Sequence, residues 1–292
     1  ALRQYDLCVQ TFEEELGLPP SEETTRLYDQ IRTGAFRRDE ALALAHTEQE
    51  PIESAGPEDR PHIDRHEAPE IPDFYGRESE LDQLETWAIE ERCRLIAVLA
   101  MGGMGKTTLA AKLTHRLVNE LSPPPFTQVL WRSLLNMPTL SDLLPEILQF
   151  LSRQTLNEMP SDLDQRLDLL LSYLREQPCI LILDNAESLL QEGAEAGAYR
   201  PGYEDYAQLF LRVAQHDHGS CVLLTSREAS RELRRLAQDS PHVQVLNLGG
   251  LSMGAGQQLL HQRGLMESGA PLIERYSGNP LALKLVADTI ED

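Results

Sequence analysis

The feature that most limits the fold lies between residues 95 and 121. An apolar run, Leu95 to Ala100, leads into Met101-Gly102-Gly103-Met104-Gly105-Lys106-Thr107-Thr108, and a helical pattern continues from Gly105 to about Leu121. A buried strand, a glycine-rich turn and a helix in that order form one half of a parallel α/β unit. Glycines let backbone N–H groups converge on an anion without side-chain obstruction, and the helix N-terminus adds the positive end of its dipole. The loop therefore predicts a site for a phosphate-bearing ligand. In it Gly102, Gly103, Met104 and Gly105 supply backbone, and Lys106 reaches the β- and γ-phosphates. Thr107 places its hydroxyl on Mg²⁺, and Thr108 adds a phosphate contact. One departure is Ala100, which stands where such loops usually begin with glycine. A methyl group is tolerated there if that residue keeps φ < 0.

Further apolar runs at Thr127–Ser133, Cys179–Leu183, Ser220–Thr225 and Val243–Leu248 predict four more strands, with amphipathic helices near 139–152 and 162–176. Short apolar runs separated by helices mark a parallel sheet covered on both faces. The expected fold is a three-layer α/β/α domain with a five-stranded parallel sheet, spanning residues 74–250. After Gly250 the strand pattern stops. Residues 251–292 predict a small helical module, with helices at Ser252–Arg263, Pro271–Tyr276 and Pro280–Ile290.

The first 34 residues read as two helices around a turn, an α-helical hairpin. Leu2, Tyr5, Val9, Phe12 and Leu16 form one stripe, and Gly17, Pro19 and Pro20 interrupt it. A hairpin of this size cannot build a core alone, so residues 1–34 are expected to end a helical repeat array that begins upstream. Residues 35–73 are acidic and proline-rich and are read as a linker.

Charge sharpens this division. The 292 residues carry 47 acidic and 26 basic side chains, a net charge of −21. Residues 1–73 hold 18 acidic and 7 basic side chains, a net of −11, so half the charge lies in the first quarter of the chain. The balance excludes a mainly phosphate-binding surface, and this fragment is expected not to bind nucleic acid directly. It leaves room for one small cationic pocket. Only three lysines occur, Lys106, Lys112 and Lys284.

Two more strand ends carry chemistry. Cys179-Ile180-Leu181-Ile182-Leu183-Asp184 delivers a carboxylate at the C-terminal end of a buried strand, where Mg²⁺ and its waters need a ligand. The bland alternative is an N-cap for the next helix. Asn185 follows where a second acid would serve to activate water. Glu187 is the nearest substitute, and it reads equally well as a surface residue. At Val222-Leu223-Leu224-Thr225-Ser226-Arg227, Arg227 offers a fork-shaped donor for a γ-phosphate, or else a salt bridge at a helix start.

These pieces, in this order, resemble the STAND class of signalling P-loop NTPases, specifically their NB-ARC-like domains. The likeness covers residues 74–292. It rests on Met101–Ala110, Leu183–Asn185, Thr225–Arg227, Gly278-Asn279-Pro280-Leu281-Ala282 and the opening Phe74-Tyr75-Gly76-Arg77-Glu78. It implies ATP or ADP as ligand with Mg²⁺ on Thr107 and Asp184, and catalytic roles for Lys106, Asp184, Glu187 and Arg227. It implies that Tyr75 to Arg77 lie against the adenine and that Pro280 closes over the base or ribose. It also implies that the strand ending at Thr225 sits between the loop strand and the Asp184 strand. Residues 13–24 separately resemble the end of a bacterial transcriptional activator domain of SARP-type regulators.

The resemblance implies a switch: ADP holds a resting state, and exchange for ATP opens the protein and drives self-association. Slow hydrolysis then resets it. Asn185 argues against rapid turnover. The winged-helix domain and sensor array of such proteins have no counterpart here, so upstream and downstream domains of the same chain are expected partners. Two other outcomes remain open, a defence effector core and a multi-turnover ATPase. The four cysteines have no paired spacing, which fits reduced thiols and a cytoplasmic location. No run approaches the ~20 apolar residues of a membrane span.

Overall fold

Strand β2 (Leu95–Leu99) is apolar at all five positions, and its first four residues are buried. Such a strand has no solvent face and must lie between two layers. In the computed structural model it lies inside a six-stranded, wholly parallel sheet. The structure describes residues 61–71, 74–191, 197–265 and 269–291. The other strands are β1 (His62–Asp64), β3 (Gln128–Ser133), β4 (Cys179–Asp184), β5 (Cys221–Ser226) and β6 (Val243–Asn247), in the order β1-β3-β4-β5-β2-β6. The strand ending at Thr225 does lie between the loop strand and the Asp184 strand, with Leu95 paired to Val222 and Ile180 to Cys221.

Alternation along the strands divides the interior in two. Ile96, Val98, Trp131, Ile180, Ile182 and Leu223 pack under α1 (Glu78–Ile89) and α2 (Lys106–Asn119). Leu95, Ala97, Leu130, Leu181, Leu183, Val222 and Leu224 face the other way. There they meet α3 (Leu140–Leu151), α4 (Leu163–Glu176), α5 (Asp205–Gln215) and α6 (Arg231–Asp239). This is the expected three-layer fold. Several helix starts follow from local chemistry: Thr139, Asp162 and Ser230 each accept an N–H from the third residue onward. Pro145 inside α3 removes the bond its N–H would give to Ser141, and Arg166 Nη1 takes that freed carbonyl at 3.1 Å.

Two expectations change. The sheet has six strands, not five. The sixth, β1, falls inside the segment read as linker. Its three residues have no apolar run. They are held by edge pairing to β3, by Arg132 Nη2 on Asp64 at 2.8 Å and by stacking of His62 on Phe150. From the sequence alone the stretch 193–202, with Tyr199 and Arg200, reads as a mobile surface loop. Among its described residues Tyr199 is 8% exposed and bridges to Leu190, so its ring belongs to the core. The hairpin expected at 1–34 and the start of the linker lie outside the described residues.

After β6 come α7 (Met253–Gln262), α8 (Ala270–Arg275) and α9 (Pro280–Glu291). They share a small core of Leu251, Ala255, Leu259, Leu260, Ile273, Leu283 and Ala287. No described helix is long and apolar enough to cross a membrane.

Candidate functional site

The loop after β2 turns sharply twice. Gly103 has φ +76° and Gly105 φ +89°, values at which a side chain is strained, while Ala100 keeps a negative φ. Gly105 ends the turn, and Lys106 is the first residue of α2. Lys106 is 7% exposed, and its ammonium donates to Ala100 O at 2.8 Å and Met101 O at 3.3 Å. Burial lowers its pKa, the Glu187 carboxylate opposes that shift, and Asp184 opposes it less. Glu187 is therefore the acid most strongly felt at the loop lysine.

Asp184, at the end of β4, is 4% exposed. Its Oδ1 accepts from Thr107 Oγ1 at 2.9 Å and also from Thr225 Oγ1, and its Oδ2 accepts from Asn185 Nδ2 at 3.0 Å. The alternative of an N-cap does not hold, because Asn185 occupies that position before the 3₁₀ turn Ala186–Leu189. Asn185 has φ +63°, and its N–H donates to Thr225 Oγ1 at 3.0 Å. An acid at 185 in this pose would set a second carboxylate against Asp184; the amide instead donates to it. Thr107 and Asp184 together offer a hydroxyl and a carboxylate oxygen. That donor set fits Mg²⁺, which keeps several waters and takes the rest of its ligands from phosphates.

Glu187 and Arg227 meet as well. Oε1 lies 3.3 Å from Arg227 Nε, and Oε2 accepts the Arg227 backbone N–H at 3.2 Å. The salt bridge read from the sequence is present, and a Cβ on Gly102 would lie 3.7 Å from Arg227 Nη2, so the paired guanidinium also rests against the loop.

Arg77 is 6% exposed and is engaged on three sides. It donates to Glu80 Oε1 at 2.7 Å, to Gly249 O at 2.5 Å and to Met104 O at 3.5 Å. It thus ties the domain entrance to the loop and to the exit of β6. Tyr75 is set differently: it lines a cavity of about 730 Å³ with Gln257, Gln258 and His261 of α7. Thr108 is half-buried in the first turn of α2. Pro280 opens α9, and its neighbours touch the loop: Asn279 Nδ2 donates to Gly102 O at 3.0 Å and Leu281 N to Gly103 O at 3.3 Å. Thr225 and Asn279 carried no assigned role in the sequence. Their signal was present, since both lie inside motifs chosen for a neighbouring residue.

Residues 73–199 match the model of a family described as the AAA ATPase domain, a span that contains the loop, Asp184 and Glu187. The chain is 41% identical over 279 residues to an uncharacterized WD repeat-containing protein of Nostoc sp. (strain PCC 7120); the match takes in 93% of this chain and 21% of that protein. The chain therefore spans about a fifth of the length of the curated relative it matches. Among solved structures it is similar to the ORC1 protein of Aeropyrum pernix in complex with DNA, with TM-score 0.51 and 18% identity over 77% of this chain and 62% of that one. A Walker-type ATPase of Pyrococcus abyssi gives TM-score 0.49 and 17% identity over 78% and 69% of the two chains. At such identity the ORC1 likeness speaks to the fold alone, a parallel α/β sheet of the P-loop NTPase kind.

Proposed function

We propose that this chain is the ATP- and ADP-binding core of a signalling switch, with slow hydrolysis, inside a longer protein. One observation carries the reading. The glycine-rich loop, the Asp184 strand end and the helical module meet at hydrogen-bond distance, so occupancy of the loop is felt directly by the module. A ligand shifts a conformational equilibrium only through such differential contacts.

The residues divide the work. The loop N–H groups and Lys106 bind the phosphates, and the dipole of α2 adds to them. Thr107 and Asp184 would hold Mg²⁺, which when bound neutralises charge on the β- and γ-phosphate oxygens. Glu187 orients water for attack on the γ-phosphate, and Arg227 stabilises the γ-phosphate oxygens by a forked contact. Arg77 and Pro280 border the nucleotide, with Tyr75 further out on the module side. The name of the Nostoc relative supports a WD repeat array as the sensing partner in the same chain. The likeness of residues 13–24 to transcriptional activator domains supports promoter control as the output.

Denaturing the purified protein and identifying the released nucleotide tests the reading. ADP is expected, and Lys106→Ala should release none. Unchanged ADP affinity of Lys106→Ala in calorimetry would overturn it. The match to the AAA ATPase domain supports a second reading, a multi-turnover ATPase. A kcat on the order of 1 s⁻¹ or more would favour that reading over the switch.

A further inference from the structure

We infer that Asn279 is a positioning residue for the nucleotide: by holding the Gly102 carbonyl it turns the loop N–H groups toward phosphate. The inference rests on the nucleotide reading above and deepens it.

The starting observation is how the loop carbonyls are used. Ala100 O and Met101 O accept from Lys106 Nζ, Gly102 O from Asn279 Nδ2, Gly103 O from the Leu281 N–H, and Met104 O from Arg77 Nη2. Five consecutive carbonyls thus have donors, and the donors for three of them lie outside the loop and its helix. In a planar trans peptide the C=O and the following N–H point in opposite directions. Holding Gly102 O against Asn279 turns the Gly103 N–H away from the module. The bond from Leu281 does the same for the Met104 N–H, and Arg77 does it for the Gly105 N–H. Among the described residues no hydrogen bond leaves the N–H groups of Gly102, Gly103, Met104 or Gly105. The loop therefore presents a row of donors whose direction is fixed from behind.

Asn279 suits this task because its amide has two ends. While Nδ2 donates to the loop, Oδ1 accepts from the N–H groups of Leu281 and Ala282, both at 3.1 Å, and so caps α9. One side chain joins the first turn of the last helix to the loop backbone. The fit is close: a Cβ on Gly103 would lie 2.8 Å from Leu281 Cβ and 2.9 Å from Asn279 Oδ1. Proline at 280 has no N–H, so the first helical position leaves no donor in need of an acceptor.

The two ends can be separated. Asn279→Asp keeps a good N-cap acceptor and loses the donor to Gly102. Asn279→Ser keeps the cap without adding charge, and its hydroxyl is too short to reach the loop. Calorimetric titration of each full chain with Mg·ADP, beside thermal melting without nucleotide, is the test. Both variants should melt within about 2 °C of the parent, since the cap survives. ADP affinity should fall about three- to tenfold in the serine variant, the range of one hydrogen bond. It should fall further in the aspartate variant, where a carboxylate oxygen would face the Gly102 carbonyl oxygen and repel it.

Parent-like ADP affinity in both Asn279→Asp and Asn279→Ser would overturn the inference. So would a fall in affinity matched by an equal loss of stability without nucleotide, because that is a merely structural role. The controls keep the two claims apart. If the parent binds ADP and Lys106→Ala does not, the nucleotide reading stands whatever the Asn279 variants do. If the parent binds no ADP, both fail together.

Discussion

The Glu187 carboxylate holds Arg227 twice, through the guanidinium Nε at 3.3 Å and the backbone N–H at 3.2 Å, and it does so beside the loop lysine. The Arg227 side chain is 67% exposed, so the ion pair itself contributes less than about 1 kcal/mol to stability. In the proposed reading a γ-phosphate would be a second anion competing for the guanidinium and would loosen the glutamate. Arg227→Ala should lower ATP affinity about tenfold, the worth of a charge-assisted bond, and leave ADP affinity unchanged. Glu187→Gln should bind both nucleotides and slow single-turnover hydrolysis at least about 100-fold. Equal loss of ATP and ADP affinity in Arg227→Ala would remove that residue from the γ-phosphate.

Thr225 is fully buried, and its hydroxyl serves two groups, donating to Asp184 and accepting from the Asn185 N–H. Thr225→Val keeps the shape and deletes both bonds, leaving a buried N–H and a carboxylate short of a donor. The expected cost is about 1–3 kcal/mol of stability, read in urea denaturation. The Mg²⁺ dependence of nucleotide binding should also weaken, because Asp184 loses one of the two bonds that orient Oδ1. A variant as stable as the parent would show that the hydroxyl merely fills space.

His218 predicts a pH dependence. It is 8% exposed; Nδ1 accepts the Ser220 N–H at 3.2 Å, and Nε2 lies 3.0 Å from Val213 O. That arrangement needs the neutral ring, and burial lowers its pKa below 6.5. The unfolded chain then binds the proton more readily than the folded one. Stability is complete above the unfolded value and falls as pH drops below about 6.5, by up to about 1.4 kcal/mol per pH unit for this one group. Melting temperature from pH 7.5 to 5.5 measures it. His218→Gln, which keeps one donor and one acceptor, should flatten the lower part of the curve.

The helical module is locked to the end of the sheet by close backbone approach. A Cβ on Gly250 would stand 1.9 Å from Ser277 O, and one on Gly278, with φ +66°, 2.4 Å from Leu251 O. Gly250→Ala must push the two strands of this junction apart and break the 2.8 Å bond from Leu251 N to Gly278 O. The expected loss is about 2 kcal/mol or more, with faster proteolysis between residues 249 and 280. Gly219→Ala, where a Cβ meets nothing within 4 Å, is the matched control and should behave as the parent.

How much of this was legible in the sequence depends on distance along the chain. The loop, its strand and its helix are continuous, so glycine placement and apolar runs declare them. The Asp184 strand was equally plain, since the unbroken apolar run Cys179–Leu183 suits a strand covered on both faces. Asn185 stands next to it in the sequence, but its hydrogen bond to Asp184 needed the fold.

The sequence by itself determined the parallel α/β architecture and the glycine-rich loop, because strand and helix periods and glycine-rich turns are local properties; the place of the Thr225 strand came only from the family resemblance. The tertiary structure alone decided three matters. It made His62–Asp64 an edge strand, although Ile63 alone is no apolar run, because an existing edge at β3 offered unpaired backbone groups. It set Arg77 on Met104 and Gly249, and it set Asn279 on Gly102, 177 positions away. Such contacts leave no periodic trace, since a polar side chain's partner is fixed only when the apolar faces of distant segments have packed. The one lysine at the loop could be found by reading; what aims the loop's N–H groups had to be seen.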